Sequence, residues 1–243
     1  MDFKKLADEV SQEVLAFSRD TSGWKVTKTS FLHLTANLFC GFLFPFEKKI
    51  TVSWKPSRNY DGHLYRAEGI IPETPAKLIQ FMCLPEFRSK WDKSLNTYRI
   101  LHRIDLDTFI LHTITNSFAM GSIAPRDFVD LVHIKYYEGD KVIVSSVSVE
   151  YPQCPPTSSY IRGYNNPCGY VCSPLPENPG HSKLVMYVQP ELRGNLSRAV
   201  VEATMPTNLL NLIHDAKDGI KAQKAHAAQS SPKGHSSSLL PKK

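Results

Sequence analysis

Apolar residues at Phe3, Leu6, Ala7, Val10, Val14 and Phe17, with acids and lysines between them, recur at helical spacing and predict an amphipathic helix over residues 2–19. Asp20-Thr21-Ser22-Gly23 stops it. Residues 24–27 and 50–54 then read as strands. Further β-rich runs at 64–71, 98–104, 108–115, 128–137, 142–151, 160–164, 169–172 and 183–190 are separated by turn residues. Asp105-Leu106-Asp107 is a short turn between two of these runs, which predicts an antiparallel pair. Residues 76–82, following Pro75, predict a short helix, and the Pro- and Asn-rich stretches 152–159 and 174–180 read as connections. From about residue 197 to 221, Met205, Leu209, Leu212, Ile213, Ala216 and Ile220 form one apolar stripe. Pro206 lacks an N–H and predicts a kink or a helix restart there. The pattern predicts an α+β domain: a leading helix, many antiparallel strands, and a long C-terminal helix covering a curved sheet. Periodicity leaves open whether that helix and the sheet meet in a packed core or enclose a cavity.

One segment breaks the pattern. Residues 31–47 hold eleven apolar residues of seventeen and no charge before Glu47. A membrane span needs about 20 apolar residues. This run is shorter and is interrupted by Asn37, Gly41 and Pro45, so an insertion in the first hairpin is the favoured reading. Retained intronic sequence is a second hypothesis for its origin, because Phe, Leu and Pro have pyrimidine-rich codons. An abundant transcript containing the codons for residues 28–50 would sink it.

The chain has 243 residues and a net charge of +6, which raises the question of nucleic acid or an anionic membrane as partner. Residues 222–243 carry Lys224, Lys233, Lys242 and Lys243 and no acid, leaving +2 for the body. That stretch is of low complexity and reads as a disordered basic tail. With a nearly neutral body, nucleic-acid binding through Lys135-Tyr136-Tyr137 or Arg162-Gly163-Tyr164 is not favoured. Five scattered cysteines and a charged N-terminus without an apolar signal region favour thiols in a reducing compartment. Cys168 and Cys172 would lie about 13 Å apart on a strand, too far to share a zinc ion, so no metal is expected. Neither a nucleophile elbow nor a phosphate loop is present, and His102 and His112 read as satisfied structural histidines. In Pro125-Arg126-Asp127-Phe128 the adjacent charges must point to opposite faces of a strand and find different partners, which favours a scaffold role for both.

Taken in chain order, Gly23-Trp24-Lys25, Leu64-Tyr65-Arg66-Ala67-Glu68-Gly69, Lys90-Trp91-Asp92, Pro125-Arg126-Asp127-Phe128-Val129-Asp130, Arg162-Gly163-Tyr164-Asn165-Asn166-Pro167-Cys168-Gly169 and the final helix resemble the START (StAR-related lipid transfer) family. The resemblance covers residues 2–221 and is strongest to the short, single-domain sterol-type members. It implies a helix-grip fold, in which a curved antiparallel sheet grips the C-terminal helix around a lipid tunnel. It also implies residues 1–221 as one lipid-binding domain, with no enzyme activity and no cofactor. Close members run from Lys28-Thr29-Ser30 straight to Lys48-Lys49-Ile50, in keeping with an insertion at 31–47.

Steroidogenic relatives have an acid and an arginine facing the tunnel, and gapless alignment through Pro125-Arg126-Asp127 puts Thr113 and Val132 at those positions. Losing both is coherent, because losing one would leave a buried unpaired charge costing several kcal/mol. Affinity is then expected from apolar area: a ligand hiding on the order of 400 Å² gains about 10 kcal/mol gross, much of it offset by association costs. Period-2 parity from Thr113 and Val132 adds Phe109, Leu111, Thr115 and Ile134 to the inward set. The alignment adds Ile143, Ser145 and Asn165, and the helix stripe supplies Leu209, Leu212 and Ile213. Thr113, Thr115 or Ser145 is the expected hydroxyl partner of the ligand. By resemblance, Met120, Gly121, Ser122 and Ile123 form a gate with the C-terminal helix, Gly121 supplying hinge freedom. The expected function is that of an intracellular carrier taking one lipid, a sterol by preference, between membranes with transient contact at their surfaces. The expected state is a monomer in the cytoplasm, nuclear passage through the tail lysines being the alternative. Phospholipid or bile-acid-like cargo is the second reading, and a small-molecule enzyme on the same fold is the rival class.

Overall fold

A computed structural model of the protein describes residues 1–31 and 49–230. Helix α1 (Phe3–Arg19) is capped by Asp2, whose carboxylate accepts from the backbone N–H groups of Lys4 and Lys5 at 3.1 Å each. The chain continues through β1 (Lys25–Phe31), β2 (Lys49–Pro56), β3 (His63–Ile71), α2 (Pro75–Cys83), α3 (Pro85–Trp91), β4 (Leu95–Arg103) and β5 (Thr108–Thr115). It then forms β6 (Arg126–Tyr136), β7 (Val142–Ser148), the two-residue strands β8 (Ile161–Arg162) and β9 (Tyr164–Asn165), β10 (Cys168–Leu175), β11 (Asn178–Val188), β12 (Pro190–Glu191) and α4 (Arg198–Ser230). Most of the expected segment 31–47 lies outside the described residues, as does the end of the tail from residue 231.

The main sheet runs β1-β2-β3-β11-β10-β7-β6-β5-β4, with β8 pairing in parallel to β6, while β12 and β9 make a separate pair. Along this path every pairing is antiparallel. The turn at Asp105-Leu106-Asp107 joins β4 to β5 as an antiparallel pair, as expected. Both faces of the sheet are covered, which explains why several strands read as almost continuous apolar runs. On one face Ala7, Val10 and Val14 of α1 pack with Ile110, Val129, Leu131, Ile143, Val147 and Val171. On the other, Met205, Leu209, Leu210, Ile213, Ala216 and Ile220 of α4 join Ile50, Val52, Ala67, Leu78, Met82 and Trp91 in the larger core.

Helix α3 has no counterpart in the sequence reading. It spans only two turns and opens on Pro85, whose fixed φ suits a first helical position. Helix α4 passes through Pro206 without a restart. It also continues past residue 221 to Ser230, into the stretch expected to be disordered. Ala222, Ala225, Ala227 and Ala228, all exposed, supply high helix propensity there. Lys224 reaches Glu73 at 3.5 Å. Gly219 lets α4 approach α2 and α3 closely, because a Cβ there would lie 2.6 Å from Trp91 Cβ and 2.9 Å from Phe81 Cζ.

Candidate functional site

Between the sheet and the α2–α3 corner lies an interior cavity of about 210 Å³. Its walls are Leu111, Thr113 and Thr115 of β5, Phe128, Asp130 and Val132 of β6, Val144 and Ser146 of β7, Asn165 of β9, and Cys168 and Tyr170 of β10, closed by Arg88 and Tyr98. Antiparallel pairing sets this face. Phe109 stands opposite Val132 and Thr113 opposite Phe128, so alternate residues of β5 and β6 project together.

Leu111, Thr113, Thr115, Val132 and Asn165 line the cavity. Phe109 is buried in the same core, and Ile134 packs against it. Leu209 and Ile213 belong to that core too, packed beside β2 and β3 rather than on the cavity wall. Leu212 stands at a hollow of about 280 Å³ shared with Asn116, Phe118 and Asn208.

Ile143 and Ser145 are corrected by the register. Val132 pairs with Ser146 and Ile134 with Val144, which turns Val144 and Ser146 inward and Ile143 and Ser145 outward. Ile143 packs under α1, and Ser145 Oγ meets Ser11 Oγ at 2.9 Å. A one-residue slip in reading a strand exchanges its two faces. Thr115 is inward, but its hydroxyl already accepts from the Arg126 N–H at 3.0 Å.

Among the gate residues, Met120 is fully exposed at 105%, Gly121 and Ser122 are exposed, and Ile123 is buried. Phe118 and Ile123 close the loop by two backbone hydrogen bonds, at 3.0 and 3.1 Å. Ala119, Met120 and Gly121 are all left-handed, with φ of 49°, 54° and 86°. That conformation costs roughly 1–2 kcal/mol for each residue with a Cβ.

Arg126 and Asp127 do find different partners. The Arg126 guanidinium donates to the carbonyls of Ala124, Leu192 and Arg193. Asp127 accepts two bonds from Arg162, at 3.0 and 2.8 Å, and one from His112 Nε2 at 3.0 Å. Burial alone would push the Asp127 carboxyl up; the bonds from Arg162 and His112 more than offset this and hold it below the usual range. His112 Nδ1 accepts from Arg99 Nε at 3.2 Å, so the ring is spent on structure.

Thr113 and Val132 carry no charge, in keeping with the expected absence of the family's charged pair at those two positions. Asp130 and Arg88 nonetheless line the cavity. Arg88 is paired with Asp92 at 2.7 Å and donates to the Met82 carbonyl at 2.9 Å. Among the described residues Asp130 makes no ion pair. Its oxygens accept from Ser148 Oγ at 2.6 Å and Asn165 Nδ2 at 2.9 Å, and burial pushes its carboxyl up to about 6. The sequence held a signal for Asp130, since it shares the inward parity of Phe128 and Val132. Arg88 had none, because α3 itself was not foreseen.

The thiols of Cys83, Cys168 and Cys172 are buried, and burial pushes all three up. A larger hollow of about 890 Å³ lies on the α1 side of the sheet, walled by Met1, Phe3, Arg162 and loop residues from Val149 to Pro156. No helix among the described residues is long and apolar enough to cross a membrane.

A curved antiparallel sheet gripping a long C-terminal helix, with a chamber inside, defines a helix-grip domain. The START domain model matches residues 45–225, and the chain belongs to that family. It is 59% identical to human StAR-related lipid transfer protein 6 over 92% of its own length and 94% of that protein's. Against mouse StAR-related lipid transfer protein 5 the identity is 33% over 88% of this chain and 94% of the relative. The solved structure of human StAR-related lipid transfer protein 5 superposes with a TM-score of 0.78 at 32% identity, covering 91% of this chain and 98% of that one.

Proposed function

We propose that this chain is a non-enzymatic carrier that takes one lipid, by preference a sterol, into the interior cavity and transfers it between membranes. The observation that carries the reading is the cavity itself: apolar walls from Leu111, Phe128, Val132 and Val144, with a few polar groups at defined positions. Lipid transfer is what its relatives are named for. The larger hollow on the α1 side is walled mostly by a loop, so the interior cavity is the better chamber.

At about 210 Å³ the cavity is below the roughly 300–1,000 Å³ of pockets for drug-sized ligands. Loading therefore requires it to widen. The strained turn at Ala119–Gly121 and the facing stretch of α4 at Asn208 and Leu212 are the proposed gate. Residues 1–221 act as the lipid-binding domain in this reading, working as a monomer in the cytoplasm with transient contact at membrane surfaces. Nucleic acid has no part in it.

Native mass spectrometry of the protein after exposure to a cell lipid extract tests the reading. We expect one lipid per chain, with sterols enriched. Failure to retain any lipid refutes the carrier, and retention of phospholipids or bile-acid-like molecules refutes the sterol preference.

A further inference from the structure

Asp130 is an anomaly within this chamber. It is 5% exposed, lies between Phe128 and Val132 on the inward face of β6, and makes no ion pair with Lys, Arg or His among the described residues. A buried carboxylate without a cation is costly, and the surrounding fold does not need the charge. The backbone N–H of Asn165 is satisfied by Ser148 Oγ at 2.7 Å, not by Asp130. Ser148 and Asn165 each give the carboxylate one hydrogen bond, whereas an ionised carboxylate has about four acceptor sites. Acceptor capacity is therefore left on a group that lines the cavity.

Resting on the lipid-carrier reading, we infer that Asp130, held in place by Ser148 and Asn165, anchors a hydroxyl group of the bound lipid and selects alcohols over the corresponding ketones. An ionised carboxylate only accepts, so the group it captures must donate. An ammonium would also donate. It would have to shed its hydration among Leu111, Phe128, Val132 and Val144, which favours the neutral hydroxyl. A ketone brings a second acceptor to the same place and leaves both unpaired. Thr113 and Ser146 add neutral hydroxyls to the wall but no charge. The anchor thus lies on β6, one inward position before Val132, where the family's charged pair is missing.

The charge on Asp130 can be varied without mutation. The titratable and charged groups around it are Arg162 on β8, Tyr164 on β9, Cys168 and Tyr170 on β10, Tyr98 on β4, Cys83 at the end of α2, and Arg88 with Asp92 on and beside α3. Arg162 is committed to Asp127 and Arg88 to Asp92. Burial pushes the tyrosines and thiols of this set up, so they stay neutral below pH 8. Burial raises the Asp130 carboxyl to about 6, so its charge changes between about pH 5 and 7.5.

The test is competition between a sterol bearing its ring hydroxyl and the corresponding ring ketone, read by native mass spectrometry on the full chain and on Asp130→Asn. Near pH 7.5 the wild type should prefer the alcohol by about tenfold to a hundredfold, the range for a hydrogen bond to a charged group. An amide pairs with either ligand, so Asp130→Asn should bring the ratio to within about threefold of unity. Should the variant fold poorly, the wild-type ratio at about pH 5 supplies the same comparison, and it should fall several-fold as the carboxyl takes up its proton. A ratio that neither the substitution nor the pH moves overturns the anchor and leaves the carrier standing. Binding of neither steroid overturns the anchor together with the sterol reading.

Discussion

Replacing Asp130 by Asn removes a buried charge while keeping the shape of the side chain, and its effect on stability can be worked from the structure. The folded carboxyl is raised to about 6 against an ordinary value of 3.8, so the folded chain holds this proton more tightly than the unfolded chain. Stability is therefore greatest below about pH 4 and is lost as pH rises towards and through 6. A difference of about two units corresponds to about 3 kcal/mol of destabilisation at neutral pH. The variant escapes that cost but exchanges charge-assisted hydrogen bonds from Ser148 and Asn165 for neutral ones, a loss of about 1 kcal/mol. Urea unfolding near pH 7.5 should then show Asp130→Asn more stable than the wild type by about 1–3 kcal/mol, with the advantage gone near pH 4. A variant that is less stable than the wild type near neutral pH, by a margin independent of pH, would refute this account of the site.

Asp127→Ala should act in the opposite sense. It leaves Arg162 and His112 without their buried partner and should cost about 3–5 kcal/mol in urea unfolding. Gly169→Ala drives a Cβ to 2.0 Å from the Val144 carbonyl oxygen, a backbone atom that cannot rotate away, so the thermal midpoint should fall sharply; an unchanged midpoint would mean the β7–β10 contact is looser than described. Met120→Gly relieves a left-handed residue that buries nothing and should raise stability by up to about 1 kcal/mol. Thr113→Val should change stability by less than about 1 kcal/mol while altering the set of lipids retained, and an unaltered set removes Thr113 from the site.

The strands were legible because their apolar runs are bounded by turn residues, and α1 and α4 because their stripes are long. Arg126 and Asp127 were legible from strand parity alone. Helix α3 was not, since Pro85–Trp91 gives too few turns for a period to show. Ile143 and Ser145 came from the alignment and were misplaced because which face of β7 looks inward is set by the pairing of β7 with β6. Asp130 was visible as a residue yet not as part of the site. Resemblance points to Thr113 and Val132 as the positions of the family's charged pair, whereas the carboxylate lies one inward position along the same strand from Val132.

The position of β11 between β3 and β10 has a consequence for how the chain is made. β3 pairs with β2 on one side as soon as both have emerged, but its other edge is completed by residues 182–188. The segment 72–181 must be synthesised first. At roughly 5–20 residues per second, the β3 edge then waits on the order of 5–20 s beside the ribosome. An unpaired edge flanked by apolar side chains such as Leu64, Tyr65 and Ile71 is a template for the wrong partner. Protection during synthesis therefore matters most in the middle of this chain, well before its C-terminal helix exists to close the fold.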